Sequence, residues 1–212
     1  NEDKLNYFLN TLIQFFQPNG TLVVPTFSYS FTKNETYNVY STASEIGNFS
    51  EAFRLLPNVK RSKNPNFSVS SIGKNSLSFE NSNIYDCFGD KTAFDILFKL
   101  NAKIICLGCE FNRITFVHYL EQKFKVKYRY LKSFYGTINN KGIKKSIKNS
   151  YYVRDLQKKS FPDFSILKKT CEDKNALKTG LIGRFPIYSI SARQLYKIGW
   201  ELLSDNEECL IS

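Results

Sequence analysis

"AKIICLGCEFNRITFVHYLEQKF", residues 102–124, decides the fold. Its first third, Lys103 to Leu107, is short, apolar and rich in β-branched residues, as a buried strand is. Gly108 closes that strand, and the stretch from Arg113 onward carries apolar residues at helical spacing. Strand, short loop, helix is the working unit of an open α/β sheet, and ligands bind such sheets beyond the carboxyl ends of their strands. His118, the chain's one histidine, falls there, on the first turn or two of the helix.

The rest of the chain repeats this alternation. Leu5, Phe8, Leu9, Leu12, Ile13 and Phe16 define one helical face; "QPNG" stops that helix and "TLVVPTF" (21–27) follows as an apolar strand. Residues 28–42 form a long polar and aromatic loop, and residues 92–100 an amphipathic helix. From 125 to 155 the pattern changes to charged residues alternating with aromatic ones. Lys125, Lys127 and Arg129 fall on one face, Val126, Tyr128 and Tyr130 on the other, with "NNKG" as a hairpin turn. The tail returns to two helices with strands between them. The expected fold is α/β: a three-layer sandwich with a central, mainly parallel sheet and residues 125–155 as an antiparallel β-meander appendage. Residues 1–212 are expected to form a single domain. The helix at residue 5 has no strand before it, so a native N-terminal strand and loop are expected ahead of residue 1.

Composition narrows the function classes. Hydrophobic residues make up 42% and aromatics 16% of 212 residues, too many for a disordered chain. No apolar run approaches the ~18 residues of a membrane-crossing helix, and the opening residues lack a signal peptide's pattern. A cytoplasmic protein without membrane partners is the expectation. Thirty basic against nineteen acidic residues give a net charge of +11, which favours an anionic partner such as a phosphorylated small molecule, a membrane surface or nucleic acid. Five cysteines, an odd number without an export signal, are expected as free thiols. Cys106 and Cys109 form a C-x-x-C, but no second pair of ligands at zinc-site spacing accompanies it, so no metal is expected.

Thr115, His118 and Glu121 are spaced three apart, which places them side by side on one helical face. Imidazole moves protons at neutral pH, and a neighbouring carboxylate fixes its tautomer and stabilises the imidazolium. The spacing alone is common.

Four segments taken in order add specificity. "GTLVVPTF", "GNFSEAFRLLPNVKRSKNP", "SVSSIG" and "KIICLGCEFNRITFVHYLE" together resemble the aminoglycoside 3-N-acetyltransferase family. The resemblance implies an acyl-CoA-dependent N-acyltransferase, with acetyl-CoA as co-substrate and the amine of an amino sugar or aminoglycoside as acceptor. It makes His118 the active-site histidine, Glu121 its acidic companion and Thr115 a hydroxyl one turn before. It places Thr26, Arg61, Ser62, Asn64 and Ser68 beside the cofactor and Glu51 on the substrate side. Where the family carries a histidine in R-S-x-H-P, this chain has Asn64, which hydrogen-bonds but exchanges no proton. The net charge suits a polycationic antibiotic poorly and favours a less cationic amino sugar or a sugar nucleotide. Two alternatives stay open: a catalytically impaired remnant of the same fold, and a basic nucleic-acid-binding module built on residues 123–154, the less favoured partner. A sheet edge or apolar patch is expected near residues 20–27; such edges invite self-association, so a homodimer is one assembly left open.

Overall fold

The computed structural model describes residues 2–212. In chain order the first half contains α1 (Glu2–Phe16), β1 (Thr21–Pro25), β2 (Tyr37–Asn38), α2 (Asn48–Leu55), β3 (Lys60–Arg61), β4 (Val69–Gly73), α3 (Ser76–Glu80) and α4 (Ala93–Lys99). The second half contains β5 (Lys103–Leu107), α5 (Phe116–Phe124), β6 (Arg129–Asn140), β7 (Ile143–Arg154), α6 (Ser165–Asp173), β8 (Lys178–Ile182), β9 (Phe185–Ser191) and α7 (Ala192–Asp205). The chain separates into two compact units: the N-terminal stretch to Ile96 with Ser133–Tyr151, and Leu97–Lys132 with Tyr152–Ser212.

In the first unit, β4 lies between β1 and β3, and both pairings are antiparallel, with Val23 opposite Ser71 and Arg61 opposite Ser70. The apolar faces of α1 and α2 cover this sheet: Leu9, Val24 and Phe53 are buried together, with Leu5, Ile13, Leu22 and Ile72 packed around them. A second sheet places β6 between β2 and β7, with Tyr37 parallel to Ile138. Its core is Phe31, Tyr37, Val39, Ile138 and Ile147. The two-residue turn between β6 and β7 has Lys141 at φ 53° and Gly142 at φ 83°, the doubly left-handed backbone that matches strand twist in tight hairpins. The residues expected as a meander are therefore one long hairpin.

In the second unit, β9 lies between β5 and β8, again antiparallel, with Ile105 opposite Ser189 and Gly180 opposite Ile187. Three helices complete the unit, α7 packing against both α5 and α6. Gly199 of α7 permits the close approach to α5: a Cβ there would stand 2.3 Å from Leu120, itself fully buried. Ser191 caps α7, its hydroxyl accepting from the backbone N–H of Gln194.

Mixed α/β architecture is present, but these pairings correct the expectation of a mainly parallel sheet. Strands β1 and β5 both run antiparallel to their partners, and β2–β6 is the parallel pair among the described residues. A short β-branched run does not report direction, so "TLVVP" and "KIICL" fit either pairing. β5 is also less buried than its composition suggests: Cys106 is buried, but Ile105 is exposed. No helix among the described residues is long and apolar enough to cross a membrane.

Candidate active site

The second unit carries the proton-transfer group. Thr115 is the cap residue ahead of α5, and His118 is the third residue of that helix. Spacing by three brings Glu121 under the imidazole, as the sequence suggests: His118 Nδ1 lies 2.6 Å from Glu121 Oε2. Glu121 is fully buried, whereas the His118 side chain keeps 18% of its surface exposed. A fixed buried acceptor thus sits behind a reachable ring. Thr115 is half-buried, and its hydroxyl makes no capping bond.

Two further residues complete the environment of Glu121. The Tyr128 hydroxyl donates to Glu121 Oε1 at 3.0 Å, and Arg129 Nε stands 2.8 Å from Oε2. The Arg129 N–H is not aimed at the oxygen, so this contact is a charge pair and not a linear hydrogen bond. Arg129 Nη1 donates to the Tyr152 carbonyl at 3.2 Å, and the Tyr152 hydroxyl donates to the Val126 carbonyl at 2.7 Å. These bonds tie the start of β6 to the end of β7. The sequence pattern places Arg129 on one face with Lys125 and Lys127, and Tyr130 on the other with Val126 and Tyr128; instead Arg129 is buried, as is Tyr128, while Tyr130 is exposed. The strand begins only at residue 129, after a turn at 127–128 that breaks the alternation, and "KYRY" gives no sign of where that boundary falls.

Burial pushes the His118 imidazole below its ordinary value; Glu121 opposes that shift, and Arg129 and Arg154 reinforce it. Burial alone would raise Glu121, but His118, Arg129 and Tyr128 together offset it, and its carboxyl titrates below the usual value. At neutral pH the site holds an ionised Glu121 and a neutral His118 whose Nδ1–H points at the carboxylate. The lone pair of that tautomer is on Nε2.

The first unit holds the remaining candidates. Thr26, Ser62 and Ser68 are fully buried, and Arg61 and Asn64 nearly so. Arg61 Nη2 donates to the Thr26 carbonyl at 2.7 Å, its Nη1 to the carbonyls of Val39 and Thr42, and its Nε to Ser68 Oγ at 3.2 Å. Ser68 Oγ donates to the Thr26 carbonyl at 2.6 Å, and Thr26 Oγ1 meets Ser70 Oγ at 3.1 Å. Ser62 Oγ accepts from the Val69 N–H at 3.0 Å. Asn64 Oδ1 accepts from the N–H groups of Asn66 and Phe67 and its amide donates to the Asp86 carbonyl. Thr26, Arg61 and Ser68 thus form one buried network, while Ser62 and Asn64 separately hold the backbone at 66–69 and at Asp86. Burial lowers the Arg61 pKa, and its hydrogen-bond partners are carbonyls and a hydroxyl, not a carboxylate. Glu51, on α2, accepts from Arg54 and from the Ser44 N–H at 2.7 Å; the Arg54 bond holds its carboxyl below the usual value.

All five cysteines are free. Cys109 is exposed, and a hydrogen bond from Cys106 lowers its thiol to about 6, the Leu107 N–H and Arg113 acting in the same direction. No group of three or more His, Cys, Asp or Glu among the described residues could hold a metal ion.

Comparison with known proteins bears on the fold and the family. A search of curated proteins finds no match. Among solved structures, YokD from Bacillus subtilis superposes with a TM-score of 0.80 at 19% identity, covering 97% of this chain and 82% of its own. Aminoglycoside acetyltransferase AAC(3)-IVa, as apoenzyme, gives 0.79 at 20% identity, covering 97% and 77%. AAC-IIIb, in a binary complex with CoASH, gives 0.80 at 16% identity, covering 95% and 83%. At such identities the likeness is one of fold. The model of the aminoglycoside 3-N-acetyltransferase family, however, matches residues 2–204, nearly the whole sequence, and this chain belongs to that family.

Proposed function

We propose that this chain is an acyl-CoA-dependent N-acyltransferase in which His118 is the general base and Glu121 its orienting carboxylate. The observation that carries this reading is the 2.6 Å contact between His118 Nδ1 and a fully buried Glu121 Oε2. Acetyl-CoA, when bound, supplies the acyl group as a thioester. Neutral His118 takes a proton from the acceptor amine at Nε2 as the new N–C bond forms and the C–S bond breaks. The positive charge that results is balanced by Glu121 through Nδ1. To the Thr115 hydroxyl, one turn earlier, we assign donation to the carbonyl oxygen as charge develops there. No step requires a cysteine.

The cofactor reading of Thr26, Arg61, Ser62, Asn64 and Ser68 takes a specific form. Their polar atoms bond the protein's own backbone, so we infer that they serve acetyl-CoA by holding that backbone in place. The Arg61 charge suits a phosphate-bearing co-substrate, and AAC-IIIb, which shares the fold, was solved with CoASH.

For the acceptor, we favour an amino sugar of low positive charge over a polycation. Arg129 and Arg154 both oppose a positive charge on His118, and the Glu121 charge is compensated by Arg129. Glu51 is likewise paired with Arg54. Thiol release from acetyl-CoA, measured with a neutral amino sugar, an amino-sugar nucleotide and a polycationic aminoglycoside, tests this choice. Turnover should be higher with the first two; a marked preference for the aminoglycoside would overturn it. Turnover with none of the three would favour a catalytically impaired remnant of the fold.

A further inference from the structure

Glu121 is contacted from two sides. From its own helix comes His118; from the start of β6 and the residue before it come Arg129 and Tyr128. Three groups that rarely share a dry site therefore meet on one carboxylate. A carboxylate has room for about four hydrogen bonds, and which oxygen faces the imidazole depends on what holds the other. Left with His118 alone, a buried Glu121 could rotate or take up a proton, since burial by itself favours the neutral acid. Tyr128 occupies Oε1 and Arg129 adds a full charge at Oε2, so neither alternative is open.

We propose that Tyr128 and Arg129 are positioning residues: they clamp the ionised Glu121 carboxylate so that Oε2 faces Nδ1 of His118 and imposes the tautomer whose Nε2 accepts the substrate's proton. This rests on His118 being the base. The clamp has a second effect. With Arg129 at 2.8 Å, the Glu121–Arg129 pair is neutral overall and pulls a proton onto His118 less strongly than a bare carboxylate would. Arg154, on β7, opposes protonation as well; on its own helix, Glu121 is the group that favours it. The base is thus kept unprotonated, and available, in neutral solution.

The lone histidine makes the test direct, because one imidazole signal in the full chain reports His118 without assignment. Nitrogen-15-labelled protein titrated by NMR should show the neutral Nδ1–H tautomer in the wild type. Tyr128→Phe and Arg129→Gln each leave Glu121 a stronger acceptor, so each should raise the His118 midpoint, by about 1 pH unit for the loss of the Arg charge. The acid limb of the kcat/KM profile should move up by the same amount. Above that limb kcat should fall about tenfold with KM little changed, as expected when a reacting group is misplaced. Arg129→Lys, which keeps the charge, should restore the midpoint. If Arg129→Gln does not fold, Tyr128→Phe, which removes one oxygen, carries the test. Folded variants with an unmoved midpoint and tautomer would overturn the proposal and reduce Tyr128 and Arg129 to packing. His118→Gln retaining full turnover is a separate result: it would overturn the base assignment even if the midpoint moves as expected.

Discussion

Glu121 Oε2 is shared by two cationic or proton-bearing groups, His118 Nδ1 at 2.6 Å and Arg129 Nε at 2.8 Å, in a site closed to solvent on the carboxylate side. This sharing fixes what each substitution should do. Glu121→Gln removes the counter-charge of a buried Arg129, and breaking a buried pair from one side costs about 3–5 kcal/mol. His118→Gln removes no charge at neutral pH, so it should be far milder. Urea denaturation of the two variants should give a much lower midpoint for Glu121→Gln. Equal midpoints would show that Arg129 does not depend on Glu121.

The pH dependence of stability has a definite sign. His118 titrates below its ordinary 6.5 in the folded chain, so below about that pH the unfolded chain binds more protons and stability falls. Stability is fully present above 6.5 and is lost as pH drops toward the folded value. Glu121, also lowered, adds a second loss below its ordinary 4.5, continuing down to its folded value. Melting temperatures followed from pH 8 to 4 should therefore decline in two stages, and His118→Gln should lack the first.

Thiol reactivity should be confined. Cys109 is exposed, with a thiol near 6, while Cys87 and Cys171 are buried, burial raising the first well above its usual value and the second to about 12. At pH 7 iodoacetamide should label Cys109 first, with a half-maximal rate near pH 6, and should leave Cys87 and Cys171 untouched in the native protein. Cys106→Ala should move the Cys109 midpoint upward, since the Cys106 hydrogen bond is the largest cause of its lowering. Peptide mapping by mass spectrometry reads both results.

Helix packing behind the site is also exposed to test. Gly199→Ala places a Cβ 2.3 Å from a Leu120 methyl. Overpacking costs about 1–3 kcal/mol, against about 1 kcal/mol gained when alanine replaces glycine in a helix. A net loss of stability is expected by denaturant titration; a gain would mean that Leu120 has room to move.

The residues that carry local chemistry were legible in the sequence, and those that depend on tertiary placement were not. His118 and Glu121 meet because both lie on one helix, where three-residue spacing is geometry enough. The C-x-x-C likewise announces its two thiols. Strand direction was not legible, because the apolar runs of β1 and β5 read alike in parallel and antiparallel pairing. The burial of Arg129 was not legible, because its partner is eight residues away on another element and the turn at 127–128 breaks the period-two pattern that groups it with Lys125 and Lys127. The buried trio of Arg61, Ser62 and Ser68 is visible as a motif, but only the folded backbone shows that its bonds turn inward.

Proton transfer by His118 is the step on which the mechanism turns. Acyl transfer per folded molecule, measured as thiol release from acetyl-CoA for wild type and His118→Gln, tests it most directly, with melting temperature recorded on the same samples. General base catalysis contributes about 10²–10⁴-fold, so His118→Gln should lose most turnover while remaining folded, and the single ionisation in the wild-type pH–rate profile should vanish. A folded His118→Gln that transfers acyl groups at the wild-type rate would contradict the claim.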